Sequence, residues 1–383
     1  MLALIALAAW VYLALFHGGF WRADQRLQDA PSPATWPRIT AIIPARDEAE
    51  TIGAVIGAHL AADYSGEVRI ILVDDNSADG TANAARDVAG ETDRLHIVEG
   101  SPLADGWSGK LWAMAQGVEA ADADDPDYFL LTDADIVFAR DTLKRLVAKA
   151  EAEKLSLMSL MARLDVRGIW GGLLVPAFVF FFQKLYPFPL SNDPNENIAA
   201  AAGGCMLVRA AALREIGGVA AIKDQLIDDC ALARAVKDIS PSTRIWLGLA
   251  DDEAVSLRDN RTLSSVWNMV ARTAYAQLQY SPMLLAGAVA GMMLIYLAPP
   301  AIALGLFVHG IFPATLLALL AWGVMARLYW PTLKLYRGEP WQSAALPVAA
   351  ALYTAMTVAS AMRHWRGQGG QWKGRHYDLS KTS

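Results

Sequence analysis

The sequence predicts an α/β domain built on a mostly parallel central sheet, with transmembrane helices at the N- and C-termini. Three observations predict it. Apolar runs cluster at the two ends of the chain. Between them, short strand-like runs alternate with helical stretches, the order that parallel strands joined by crossover helices require. Two of those strand-like runs end in carboxylates, "LVDDNS" and "LLTDADI". A length of 383 residues allows one large domain or two ordinary ones, and 54% of the residues are hydrophobic. The net charge of -6 lacks the basic footprint that nucleic-acid binding needs, so nucleic acid is excluded as a partner. Cys205 and Cys230 have neither a disulfide framework nor a zinc-ligand spacing around them, which fits a reducing compartment.

Met1 to Phe16 is a charge-free apolar run, and with Gly18 to Trp21 it approaches the roughly 20 residues that a span needs. No basic residue precedes it and no small-residue cleavage site follows, so residues 1–21 read as an uncleaved anchor. Arg22 and Arg26 come next, which places the following domain in the cytoplasm. After the connector "DAPSPATWP", the domain over 36–280 begins. Strands are expected at Ile39–Ile43, Val68–Val73, Leu95–Val98 and Tyr128–Leu131. Helices are expected near Glu48–Ala61, Gly80–Val88, Gly109–Ala121 and Thr142–Glu153. Ligands of such sheets sit beyond the carboxyl ends of the strands, where "VDDNS" and "TDADI" both fall.

The run "GIWGGLLVPAFVFFFQKLYPF" at 168–188 is as apolar as a span. Its proline and the Gln183 and Lys184 pair favour a helix in the membrane interface instead. From Met283 to Tyr329 there is room for two spans, and Ala344 to Met362 is a weaker third, giving two or three helices over 281–363. Three would carry the basic tail over 364–383 outside, although Arg327, Lys334, Arg337 and the tail all belong on the cytoplasmic side. Either the third stretch stops short of crossing or the charge rule fails there.

Asp133 and Asp135 in "TDADI" share one side of a strand end, and converging carboxylates repel unless a cation joins them. Hard oxygen donors suit Mg2+ or Mn2+ bound together with substrate phosphates. The structural alternative is a solvated turn in which Asp135 or Asp141 caps the next helix. "IILVDDNSADGT" ends a second strand with Asp74 and Asp75, which can accept hydrogen bonds from a ribose or base, or simply shape a turn. No G-x-G-x-x-G follows the first strand, where "IIPARDEAE" stands, and no P-loop sequence occurs. Dehydrogenase and P-loop readings lose their main support. Lys110 in "GWSGKLWAMAQG" opens a helix, placed to meet a diphosphate. Asp228 and Asp229 in "QLIDDCALARAVK" open another, either as partners of the helix dipole or with one as a general base.

In order along the chain, "IIPARDEAETIG", "ILVDDNSADGT", "GWSGKLWAMAQGVEAA", "FLLTDADI" and "LIDDCALA" resemble the family 2 glycosyltransferases, which have the GT-A fold. "PAFVFFFQKLYPF", "AAAGGCMLVR", "RTAYAQLQYSP" and "YLAPP" extend the likeness to the hopanoid-biosynthesis-associated membrane glycosyltransferases. The resemblance implies a membrane-bound inverting enzyme that moves a single sugar from a UDP-sugar to a lipid acceptor, a hopanoid by the closer likeness. It implies that Pro44, Ala45, Arg46 and Glu48 of "PARDE" line the nucleotide pocket with Asp74 and Asp75. Asp133 and Asp135 match the DxD signature, whose carboxylates engage the nucleotide sugar and a divalent cation, Mg2+ or Mn2+. Asp229 matches the base, Asp228 replaces the family's common glutamate, and Lys110 would neighbour the diphosphate. Arg272 in "MVARTAY" stands near the Q-x-x-R-W position of processive members, but that motif is absent, so single transfer is expected and Arg272, with Asp228, is assigned to the acceptor side.

Metal site and base must face one compartment, which rules out a single crossing at 168–188 and sets that helix beside the base at the bilayer. The expected location is a bacterial-type inner membrane, multi-pass, with the catalytic domain in the cytoplasm. One rival reading has a polyprenyl phosphate as acceptor, already anionic and in no need of a base. The other, a non-catalytic membrane subunit or transporter, is opposed by the lack of charge deep in the strong C-terminal spans.

Overall fold

The computed structural model describes residues 1–121 and 124–367 and two short strands, Gln371–Trp372 and Arg375–His376. The basic tail expected over 364–383 lies largely outside the described residues. After the N-terminal helix α1 (Leu2–Leu15), four strands form where the sequence places them: β1 (Ile39–Ala45), β2 (Val68–Asp74), β3 (Leu95–Glu99) and β4 (Tyr128–Thr132). Each extends one or two residues past its expected end. The four helices α2 (Ala49–Leu60), α3 (Thr81–Ala89), α4 (Gly109–Ala121) and α5 (Thr142–Glu153) also form as expected.

Five more strands complete the domain: β5 (Ile136–Phe138), β6 (Leu157–Met161), β7 (Cys205–Arg209), β8 (Ile245–Leu249) and β9 (Ala254–Ser256). The seven-stranded sheet runs β3-β2-β1-β4-β7-β6-β8, and β7 is antiparallel to both of its neighbours. All other pairs in this sheet are parallel. A separate antiparallel pair joins β5 to β9.

The central strands are buried on both faces, which is why they read as continuous apolar runs. Ile39, Ala41 and Ile43 face one core cluster while Ile42 faces the other, the two-residue period of a strand. Between β2 and β4 the sheet changes direction of growth at β1, so the carboxyl ends of β1, β2 and β4 open on one edge. That edge is the topological switch point where α/β sheets bind ligands.

Helix α4 closes one face of this edge by close approach. A Cβ on Gly117 would meet Ile42 Cγ2 at 2.5 Å and Val73 Cγ2 at 3.0 Å. Helix propensity favours alanine over glycine, but the clash is with packed core, so Gly117→Ala is expected to destabilise the protein by about 1–3 kcal/mol. A lowered Tm in thermal unfolding checks this.

The remaining helices are α6 (Gly168–Leu185), the short α7 (Phe188–Asn192) and α8 (Ala210–Glu215), α9 (Asp228–Lys237) and α10 (Leu263–Gln277). Then come α11 (Pro282–Met292), α12 (Ala298–Leu304), α13 (Leu306–His309), α14 (Phe312–Leu335) and α15 (Leu346–Trp365). Four helical stretches are long and apolar enough to cross a membrane: Gly168–Leu185, Pro282–Leu304, Phe312–Leu335 and Pro340–Trp365.

Within Pro282–Leu304 the chain makes a π-helical turn at Met293–Leu297. Pro299 and Pro300 explain it, since neither offers an N–H to the preceding turn. The carbonyl of Ile295, left without its helical donor, accepts Trp10 Nε1 of α1 at 2.9 Å instead. The Trp10 ring also stands edge-on to Tyr296, with centroids 5.1 Å apart. The two apolar ends of the chain therefore form one bundle.

Two expectations about apolar segments change. The run over 1–21 is not one helix: α1 ends at Leu15, and Gly18 and Gly19, both at positive φ, turn the chain before a 3-10 turn at Phe20–Arg22. Its 14 residues reach about 21 Å, short of the roughly 30 Å of hydrocarbon. Helix α6 lies between β6 and β7, which are hydrogen-bonded neighbours in one sheet. A lone crossing there would put those strands on opposite sides, so α6 does not cross. Nor does it lie with one face free. Val175 and Val179 pack toward the sheet domain while Leu174, Ala177 and Phe180 pack into the bundle. Its two polar residues are used inside: Gln183 donates to Thr332 Oγ1 at 3.0 Å and Lys184 to the Tyr296 hydroxyl at 2.8 Å.

Candidate active site

Asp133 directly follows β4, with its Oδ1 2.8 Å from Lys110 Nζ on the first turn of α4. Lys110 Nζ is also 3.1 Å from Asp228 Oδ2, an ion-pair contact without hydrogen-bond geometry. One lysine thus ties the end of β4 to the start of α9. Burial works against the Lys110 charge, but Asp133 and Asp228 outweigh it and hold its pKa above the ordinary lysine value.

Asp135 does not cap a helix. Its Oδ2 accepts a hydrogen bond from Ser256 Oγ at 3.1 Å and forms an ion pair with Arg258 Nε at 3.2 Å, and the side chain is nearly buried. Those partners arrive through the β5–β9 pair, in which Ile136 stands opposite Ser256. For Arg258 too, burial opposes the charge while Asp135, Asp133 and Glu48 raise the pKa.

Asp229 stands in the first turn of α9, its Oδ2 accepting Gly203 N at 3.0 Å and its Oδ1 accepting the N–H of Cys230 at 2.7 Å. A Cβ on Gly203 would lie 3.2 Å from Lys110 Nζ and 3.6 Å from Asp229 Oδ2, so the "GG" of "AAGGCMLVR" lets the backbone reach the carboxylate. Burial first, then the neighbouring Asp228, pushes the Asp229 carboxyl up to about 6, with Lys110 and the two backbone donors pulling the other way.

The second acidic strand end divides into loop builders and one buried acid. Asp74 Oδ1 accepts Ser77 N at 3.0 Å, the turn reading. Asp79 does two jobs: its Oδ2 accepts Ala49 N, at the start of α2, and its Oδ1 accepts Thr81 N at the start of α3. Asp75 is fully buried and lies beneath Arg46, whose Nη1 is 2.5 Å from the Asp75 carbonyl and 3.6 Å from its Oδ2. Arg46 and Asp75 therefore meet each other. Neither they nor Ala45 and Asp74 line the cleft around Asp133, which Pro44, Glu48, Ser108, Lys110, Asp228 and Arg272 do line with Asp135 and Arg258.

From the same carboxylates a second space opens, about 470 Å³ in volume. At its polar end stand Asp133, Asp135, Asp228, Asp229 and Arg272. Its walls are Phe178, Phe181 and Phe182 of α6, Met269 of α10, Ala288 of α11 and Tyr353 of α15. Arg272 sits where the two spaces join. Arg258, Ser256 and the wall residues of α11 and α15 were not foreseen from the sequence.

The donor set fits a hard divalent cation. Among the described residues no group of three or more His, Cys, Asp or Glu forms a ready cage. Two carboxylates at a strand end, with open space for a diphosphate, are what magnesium-type sites use. Asp133 and Asp135 would hold the ion.

These features have relatives. Residues 40–217 match the family model described as glycosyl transferase family 2. The match covers a little under half of the chain and contains the ends of β2 and β4, beside which Asp74, Asp75, Asp133 and Asp135 stand. Among solved structures, a mannosyltransferase from Pyrobaculum calidifontis, determined in complex with GDP-Man and Mn2+, is 23% identical. The likeness covers 92% of this chain and 98% of that one, with a TM-score of 0.54. The fold is thereby GT-A-like, and the likeness takes in the apolar helices as well as the sheet. Glucosyl-3-phosphoglycerate synthase from Mycobacterium tuberculosis, in complex with Mn2+ and UDP-Glc, is 18% identical over 63% of this chain and 79% of its own, with a TM-score of 0.39. Mannosyl-3-phosphoglycerate synthase from Rubrobacter xylanophilus is 18% identical over 72% and 84%, also at 0.39. No curated protein sequence matches the chain at a significant level.

Proposed function

We propose that this chain is a membrane-bound inverting glycosyltransferase that moves a single sugar from a UDP-sugar to the hydroxyl of a lipid acceptor, a hopanoid if the further likeness of its motifs holds. The observation that carries the reading is the junction of two unlike spaces at Asp228 and Arg272, with Asp229 on the wall of the second. One is lined by carboxylates, Lys110 and two arginines, the other by aromatic and aliphatic side chains of α6, α10, α11 and α15. A charged donor fits the first and an apolar acceptor body fits the second. The family match over 40–217 supports the reaction class, and the fold shared with a mannosyltransferase solved with GDP-Man and Mn2+ supports a nucleotide-sugar donor with a divalent cation.

Asp133 and Asp135 would hold Mg2+ or Mn2+, which when bound supplies charge neutralisation for the departing diphosphate. The rest falls to the chain's own groups. Asp229 accepts the proton of the acceptor hydroxyl as that oxygen attacks the anomeric carbon from the face opposite the nucleotide. The new C–O bond forms, the bond to the diphosphate breaks, and UDP leaves with the electron pair. A carboxyl pushed up to about 6 is a better base than an ordinary aspartate and is still ionised at neutral pH. Lys110 and Arg258 add positive charge on the diphosphate side. The apolar walls keep water from competing as acceptor.

In this reading Pro282–Leu304, Phe312–Leu335 and Pro340–Trp365 lie in the bilayer of a bacterial-type inner membrane. The sheet domain faces the cytoplasm, with α6 at the boundary and α1 packed on the bundle. Detergent-purified protein given UDP-sugars, membrane lipid and Mn2+ is expected to release UDP only when lipid is present. Release with GDP-mannose alone would reject the UDP assignment. Ala288→Trp, which fills the α11 wall, is expected to raise KM for the lipid by about tenfold while UDP affinity holds. Unchanged lipid KM would remove the cavity from the acceptor path.

A further inference from the structure

We infer that Lys110 and Arg258 are resident counter-ions of the two donor-site aspartates, and that they make binding of the divalent cation conditional on the diphosphate. The inference rests on the donor-site reading proposed above. Each carboxylate that would face the ion already holds a side-chain cation: Lys110 Nζ lies 2.8 Å from Asp133 and Arg258 Nε lies 3.2 Å from Asp135. A third acid, Asp228, shares Lys110 at 3.1 Å.

A divalent ion entering alone must displace both cations, which leaves Lys110 and Arg258 without their anions beside a doubly positive guest. A diphosphate entering alone meets carboxylates that repel it. When both enter, the charges of the ion meet the carboxylates and the ionised diphosphate oxygens take over Lys110 and Arg258. The net charge of the cleft is then unchanged. Ion and diphosphate each favour the other's binding, and the effect is reciprocal.

The two side chains are placed for the exchange. Both line the same cleft, Lys110 from α4 and Arg258 from just past β9. The Arg258 side chain is 44% exposed and has room to swing. Among the described residues no third carboxylate or histidine completes a cage that would bind the ion unaided.

Mn2+ binding to the full chain in detergent, read by loss of the free-ion EPR signal with and without UDP, tests this. In the unaltered protein UDP is expected to raise Mn2+ affinity by about tenfold or more. In Lys110→Met and in Arg258→Gln, tested separately with Tm as a folding control, Mn2+ alone is expected to bind about fivefold more tightly, with the UDP enhancement reduced to match. Folded variants that bind Mn2+ alone no more tightly and keep the full enhancement overturn the inference. So does an unaltered protein that binds Mn2+ equally well with and without nucleotide, an outcome that leaves the donor site standing. If the unaltered protein takes up no Mn2+ with UDP or with GDP, the donor-site reading falls and the inference falls with it.

Discussion

Asp229→Asn is expected to lower kcat by about 10²–10⁴-fold, the range for losing a general base, while nucleotide binding persists. The separation follows from position. Asp229 faces the apolar cavity and is held by Gly203 and Cys230, whereas the lining of the charged cleft includes Asp228 but not Asp229. The pH profile carries the same signature. The base must be ionised to accept a proton, and burial with Asp228 pushes its pKa up to about 6. The rate is therefore expected to be full at neutral pH and to fall about tenfold for each unit below pH 6. An unaltered enzyme whose kcat/KM stays flat down to pH 4.5, or a variant with undiminished kcat, removes Asp229 from the chemistry. Retained activity on a lipid phosphate alone would point to an acceptor that is anionic before it reaches the site.

Asp133→Ala and Asp135→Ala are each expected to reduce turnover by at least about 100-fold, since charge neutralisation by a held cation is worth several kcal/mol. Their effects on the fold should differ. Asp133 is about one-third exposed at its side chain and pairs with one lysine. Asp135 is nearly buried, and removing it leaves the buried Ser256 hydroxyl without its acceptor and takes an ion-pair partner from Arg258. Asp135→Ala is thus also expected to cost about 1–3 kcal/mol of stability, visible as a lower Tm that Asp133→Ala does not show. Full activity in both variants would refute the metal assignment.

The first half of the sheet was legible because its strands are separated by helices with clear starts and are bounded by "PARDE", "DDNS" and "DAD". The later strands were not. "LMSLM", "CMLVR" and "IWLGL" are five residues each, and four to five of those five are buried, so they carry no alternation and cannot be told from helix by period. The antiparallel β7 also depends on pairing with β4 across a long separation. Arg258 was hidden for the same kind of reason: it follows a three-residue strand whose partner lies some 120 residues earlier, as the Ser256 to Asp135 separation of 121 shows.

The acidic pairs show how far residue type alone reaches. Of "VDDNSAD", Asp74 and Asp79 are turn and helix-start acceptors, and only Asp75 is buried against an arginine. Around "TDADI" both the metal reading and the cap reading fitted the strand end. The Arg258 and Ser256 contacts to Asp135 exclude the cap. The N-terminal run misled by its composition, because Gly18 and Gly19 break the helix before its apolar length is used. For 168–188 the sequence argument was that two parts of one reaction cannot sit in different compartments, and the β6–β7 pairing places the same kind of constraint on the backbone.

The most direct measurement is the mass of the lipid product. Purified full-length protein is incubated with a panel of UDP-sugars, Mn2+ and hydroxyl-bearing membrane lipids including hopanoids, and the lipid extract is analysed by mass spectrometry. One lipid species heavier by a single glycosyl unit is expected, joined by a glycosidic bond to the acceptor's hydroxyl oxygen, and reduced by at least about 100-fold with Asp229→Asn. A product carrying two or more units, a sugar found only on a lipid phosphate, or UDP release with no glycosylated lipid would contradict it.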